Sequence, residues 1–130
     1  MRRLRTPASR AAALVCLTIG ALLVQRMIAS TSPTYALLEG VLAVVAVLTA
    51  AKMWFHNCFE SHLAALLLAP ATAGGALLAL TAGLPGGGVA GPMVVHISFL
   101  VLCAAIPVLL WGDARVRAEH MRHTRRPYAR

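Results

Sequence analysis

Across residues 11–111 the chain carries only four formally charged side chains: Arg26, Glu39, Lys52 and Glu60. Hydrocarbon excludes charge, so segregation of this kind points to lipid as the solvent. Composition agrees, because with 12% charged and 59% hydrophobic residues there is too little charge to cover a soluble domain of this size. The expected fold is all-α: a polytopic membrane protein built as a four-transmembrane-helix bundle. One membrane domain is expected over residues 1–111, followed by a basic cytoplasmic tail over 112–130.

Four apolar runs set the expected spans at about 11–29, 35–55, 63–84 and 93–111. A helix crosses the hydrocarbon in roughly 20 residues, so the first run suffices only if Arg26 lies near the far interface and snorkels. A cleaved leader is disfavoured: cutting after Ala29 or Ser30 puts Met27 or Ile28 where a small residue belongs. Residues 30–34, Ser-Thr-Ser-Pro-Thr, form a polar turn, and the Gly/Pro-rich stretch over 85–92 forms another. Pro70 falls inside the third run and Pro107 inside the fourth, which membrane helices tolerate. Gly112 and Asp113 are expected to end the fourth helix.

Orientation follows from the basic residues. An N-in/C-in topology places Arg2, Arg3, Arg5, Arg10, Lys52 and the six arginines from Arg115 to Arg130 on the cytoplasmic side. Only Arg26 falls outside, which is a strong positive-inside signal and requires an even number of spans. The expected location is therefore the cytoplasmic (inner) membrane, multi-pass. The formal charge of +8 is read as this topology signal rather than as a nucleic-acid surface. The basic tail is expected to meet anionic lipid.

Three constellations carry possible function. Ala71, Gly75, Ala79 and Gly83 recur every four residues, a small-residue seam that lets another backbone approach. Packing within the bundle is its first expected use and a homodimer contact the second. Arg26, Glu39 and His96 lie at one expected depth, near the outer ends of three spans. A buried carboxylate needs a partner there, so an intramembrane polar cluster is expected. It serves either as a register-fixing salt bridge or as a proton or cation site, since histidine titrates near neutral pH.

Between the second and third spans, His56, Cys58, Glu60 and His62 are all possible ligands of a transition metal. On one helix they divide between two faces, and the spacing matches no strong zinc signature. A polar interfacial hairpin is the first expectation and a metal site the second. Haem is disfavoured, because His96 and the pair His56/His62 belong to opposite edges of a core about 30 Å thick. Cys16, Cys58 and Cys103 are odd in number and widely spaced, so no disulfide framework is expected.

Asn57-Cys58-Phe59-Glu60 is similar to the Asn-x-x-Glu element of the MAPEG family, small four-span membrane proteins that include glutathione-dependent enzymes. The likeness covers about a dozen residues. It departs at the family's nearby arginine, where Lys52 and Met53 stand, and two spans precede the motif rather than one. No family is assigned.

No catalytic set is legible. The expected function is a non-catalytic bundle that self-associates or serves as accessory subunit of a larger membrane complex. Two alternatives stand beside it: a small transporter or channel-like oligomer using Glu39 and His96, and a metal protein or membrane enzyme working at the His56–His62 hairpin.

Overall fold

The computed structural model describes residues 6–56, 58–81 and 93–125. The expected turn over 85–92 and Gly83 lie outside them. Four α-helices account for nearly all the rest: α1 (Pro7–Ala29), α2 (Pro33–Phe55), α3 (Phe59–Thr81) and α4 (Met93–Arg125). Each is long and apolar enough to cross a membrane. The first three have 23 residues, about 35 Å of helix at 1.5 Å per residue, against a hydrocarbon core of about 30 Å.

Local chemistry sets the helix starts. Proline supplies a fixed φ and lacks only an N–H that the first turn would leave unpaired, and it stands at the head of both α1 and α2. Thr6 caps α1: its hydroxyl accepts from the Ser9 N–H at 3.2 Å, and the Ser9 hydroxyl donates to the Thr6 carbonyl at 2.9 Å. At the head of α3 the Cys58 carbonyl accepts from the Ser61 hydroxyl at 2.7 Å. That helix starts at Phe59, four residues before the expected 63, so Glu60 and His62 belong to its first turn rather than to a hairpin.

The helices close a ring in which each packs on its two chain neighbours and α4 returns to α1. The tightest joint is α1 on α2. It is built from small side chains: Ala12, Ala13, Cys16 and Gly20 on α1, and Ala43, Ala46 and Ala50 on α2, all buried. A Cβ added at Gly20 would stand 3.2 Å from Val47 Cγ2 and 3.5 Å from the Ala43 carbonyl oxygen. Glycine here is what permits the close approach.

The expected seam on α3 is not used in this way. Ala79 is buried, but Ala71 and Gly75 are exposed, and a Cβ at Gly75 would meet nothing within 4 Å among the described residues. Four-residue steps drift about 40° per step around a helix of 3.6 residues per turn, so such a row cannot stay on one face. The face that α3 buries is Ala65, Leu68, Ala69, Thr72, Ala76 and Ala79.

A second correction concerns α4. It does not stop at Gly112–Asp113 but runs 33 residues to Arg125, about 50 Å. Most of the expected tail is therefore helical. Asp113 is not a terminator because its carboxylate is buried and held by neighbours, including Arg117 one turn on. The buried stripe of α4 is His96, Phe99, Cys103, Ile106 and Asp113. Its ends, His96 and Asp113, lie 17 residues and about 25 Å apart along the axis.

Candidate functional site

That stripe ends in a polar layer at each end of the bundle. The far end holds the last turn of α1 and the first turns of α2 and α4. The termini end holds the start of α1, the α2–α3 connection and the middle of α4.

At the far end, Arg26 Nε lies 3.0 Å from Glu39 Oε1. The pairing expected from sequence is present. The guanidinium also sits 5.4 Å from the centre of the Phe99 ring, a cation–π contact that stabilises a desolvated charge. Glu39 is 8% exposed, and its second oxygen, Oε2, has no hydrogen-bond partner among the described residues. His96 is 1% exposed, and neither ring nitrogen has a partner among the described residues. The layer therefore brings Arg26 to Glu39 and places His96 one turn from the ring that Arg26 covers, without a bond from the imidazole to either. Buried polar atoms without partners are rare and costly, about 1–3 kcal/mol each. Three lie in this layer; three more among the described residues, His62 Nε2 and Arg117 Nε and Nη2, lie at the opposite end, beside the Asp113 carboxylate.

At the termini end, Asp113 is 1% exposed and gathers three helices. The Thr6 hydroxyl donates to Oδ1. Arg117 lies 2.8 Å and His62 Nε2 3.6 Å from Oδ2. Ser9 and Ser61 are buried among the same helix ends. Sequence reasoning missed this node because it took Asp113 as a stop signal. Two signals pointed to it: Arg117 at i+4 on one helix face, and the spacing 96, 99, 103, 106, 113, which keeps Asp113 on the apolar stripe.

The four residues of the expected metal site are divided. Glu60 Oε2 pairs with Lys52 Nζ at 2.5 Å, while His62 turns to Asp113 and His56 is exposed. Cys58 lies beside Ser61, with Sγ 3.8 Å from its hydroxyl oxygen. A hydrogen bond from the Ser61 backbone N–H holds the Cys58 thiol below its ordinary range. Among the described residues no three His, Cys, Asp or Glu side chains come together in a way that could hold a metal ion. Where the chain resembled the Asn-x-x-Glu element, Asn57 lies outside the described residues and Glu60 is engaged by Lys52.

Between the two layers, Thr72 Oγ1 lies 3.0 Å from Cys103 Sγ and also donates to the Leu68 carbonyl at 2.8 Å. These atoms satisfy one another. The basic residues at the termini end stack on aromatics: Arg115 lies 3.8 Å over Trp111 and Arg10 5.8 Å over Trp54.

Comparison with known proteins returns no matching family model, no matching curated protein and no matching solved structure.

Proposed function

We propose that the chain is a multi-pass protein of the cytoplasmic membrane, N-in/C-in, that works as a non-catalytic bundle by self-association. The observation that supports this reading is the open face of α3. Ala71 and Gly75 are exposed, and among the described residues nothing lies within 4 Å of a Cβ built at Gly75. Small residues on a lipid-facing helix allow a second helix to approach closely, and van der Waals packing then drives association without a hydrophobic term. The positive-inside count sets the orientation, which puts the termini end in the cytoplasm and the far end outside.

The test is Gly75→Leu. Among the described residues nothing lies within 4 Å of a Cβ there, so the thermal unfolding of the monomer should be unchanged. The mass of the purified protein in detergent or nanodiscs should fall from oligomer to monomer. A wild-type monomer, or an oligomer that survives Gly75→Leu, rejects the reading. A different protein retained at fixed stoichiometry through purification would replace self-association with an accessory-subunit role.

A second reading is favoured by a separate observation, the unpartnered atoms of Glu39 and His96. Intramembrane ionisable residues commonly mark ion or proton pathways, so the bundle also fits a small transporter or channel-like oligomer. Flux in proteoliposomes, abolished by Glu39→Gln, is the expected sign. Wild-type protein that leaves vesicles as tight as empty ones eliminates it.

A further inference from the structure

The chain has four carboxylate side chains, and three are committed away from the far end. Asp113 is held by Thr6 and Arg117, Glu60 by Lys52, and Glu119 is exposed on the extension of α4. Glu39 is thus the sole acidic side chain of the far end. One of its oxygens takes Arg26, and the other is buried without a partner among the described residues. His96, nearly fully buried and with neither nitrogen partnered among the described residues, stands one turn before Phe99, on whose ring Arg26 rests. The ionisable groups of this end, helix by helix, are Arg26 on α1, Tyr35 and Glu39 on α2, none on α3 and His96 on α4. Residues 82–92 contribute none, and the next groups inward are Cys16 and Cys103.

We propose that His96 and the free oxygen of Glu39 form a proton-binding site at the far end, in which a protonated His96 and Arg26 share one carboxylate. The inference rests on the same residue pair as the transport reading and names its ligand. A neutral imidazole offers one N–H and one lone pair. The lone pair takes a proton from water, forming one N–H bond, and the charge of the layer rises from zero to +1. Arginine does not release its proton in proteins, so Arg26 stays a fixed cation.

A buried imidazolium is costly unless an anion faces it, and Glu39 is the one anion at this end. Protonation therefore divides Glu39 between two cations. Arg26 has the Phe99 ring as a second resting place, so its ion pair can loosen without stranding the guanidinium. Loss of the proton returns Glu39 to Arg26. The bound proton and the Arg26–Glu39 bond are in competition, and this competition is the property the site contributes.

The test uses the full chain in lipid bilayers with ¹⁵N-labelled histidine. The His96 signals are assigned by their loss in His96→Gln. At about pH 5.5, within the range where histidine exchanges protons, wild-type His96 should show the imidazolium form. Glu39→Gln should lower the ratio of imidazolium to neutral ring about tenfold or more, and Arg26→Gln should raise it, as a nearby opposite charge favours the charged form and a like charge opposes it. A wild-type His96 that stays neutral, or a ratio that neither variant moves, overturns the proposal. If Glu39→Gln does not fold, Arg26→Gln decides alone, and an unchanged or lowered ratio there overturns it. Proton flux in the same vesicles separates the two ideas. Protonation without flux keeps the site and removes transport, whereas flux with an always-neutral His96 keeps transport and removes the site.

Discussion

Asp113 and His96 close opposite ends of one buried stripe on α4, are equally buried, and differ in how their polar atoms are met. Asp113 gathers a hydroxyl, a guanidinium and an imidazole from three helices. The His96 ring makes no hydrogen bond among the described residues. A buried charge surrounded by partners ties elements together, and removing one partner leaves the others stranded. A buried polar ring without partners does the reverse, since it costs stability wherever it sits. The termini end thus joins its helices through ion pairs around one carboxylate, although His62 Nε2 and Arg117 Nε and Nη2 lack hydrogen bonds among the described residues. The far end has the physics of a site maintained at some cost to the fold.

The largest test of that contrast is at Asp113. Asp113→Ala should destabilise the bundle by about 3 kcal/mol, the lower part of the range for breaking a buried ion pair, because His62 and Arg117 keep some access to solvent. Thermal or denaturant unfolding in detergent gives the number, and a loss under about 1 kcal/mol would dissolve the distinction between the two ends. Next in size is Gly20→Val, which forces a branched side chain against Val47 and the α2 backbone. Overpacking of this kind costs about 1–3 kcal/mol, whereas Gly75→Val should change monomer stability by less than about 0.5 kcal/mol. Equal losses at the two glycines would mean that α3 is packed as closely as α1.

His96→Leu sharpens the comparison by its sign. It removes two unpartnered atoms and conserves apolar volume, so stability should hold or rise by about 1 kcal/mol, while the proposed proton-linked behaviour is lost. A clear destabilisation would show that the imidazole is a structural member like Asp113.

The smallest effect concerns Cys58. Its lowered thiol raises the thiolate fraction at any given pH. A membrane-impermeant maleimide should therefore label Cys58 ahead of the buried Cys16 and Cys103, and keep doing so below the pH where an ordinary thiol slows. In oriented vesicles the label should enter only from the cytoplasmic face, and labelling from the opposite face would invert the proposed topology.

What could be read from the chain alone was whatever depends on one helix at a time. Apolar run length gave four helices, and rise per residue put Arg26 and Glu39 at one depth, where the structure pairs them, although α1 and α2 start at Pro7 and Pro33 rather than at the expected 11 and 35. None of this needs knowledge of a neighbour. The rotation of each helix about its axis does need it, and there the reading failed. Whether Gly75 or Ala76 faces the bundle, whether Gly20 is the close-approach glycine, and whether Asp113 ends a helix or anchors three were settled by packing among four helices. The physical reason is that these helices are apolar on nearly every side. A soluble helix declares its inner face by hydrophobic contrast, but here that contrast is weak, and only the fit of one side chain against another selects the face.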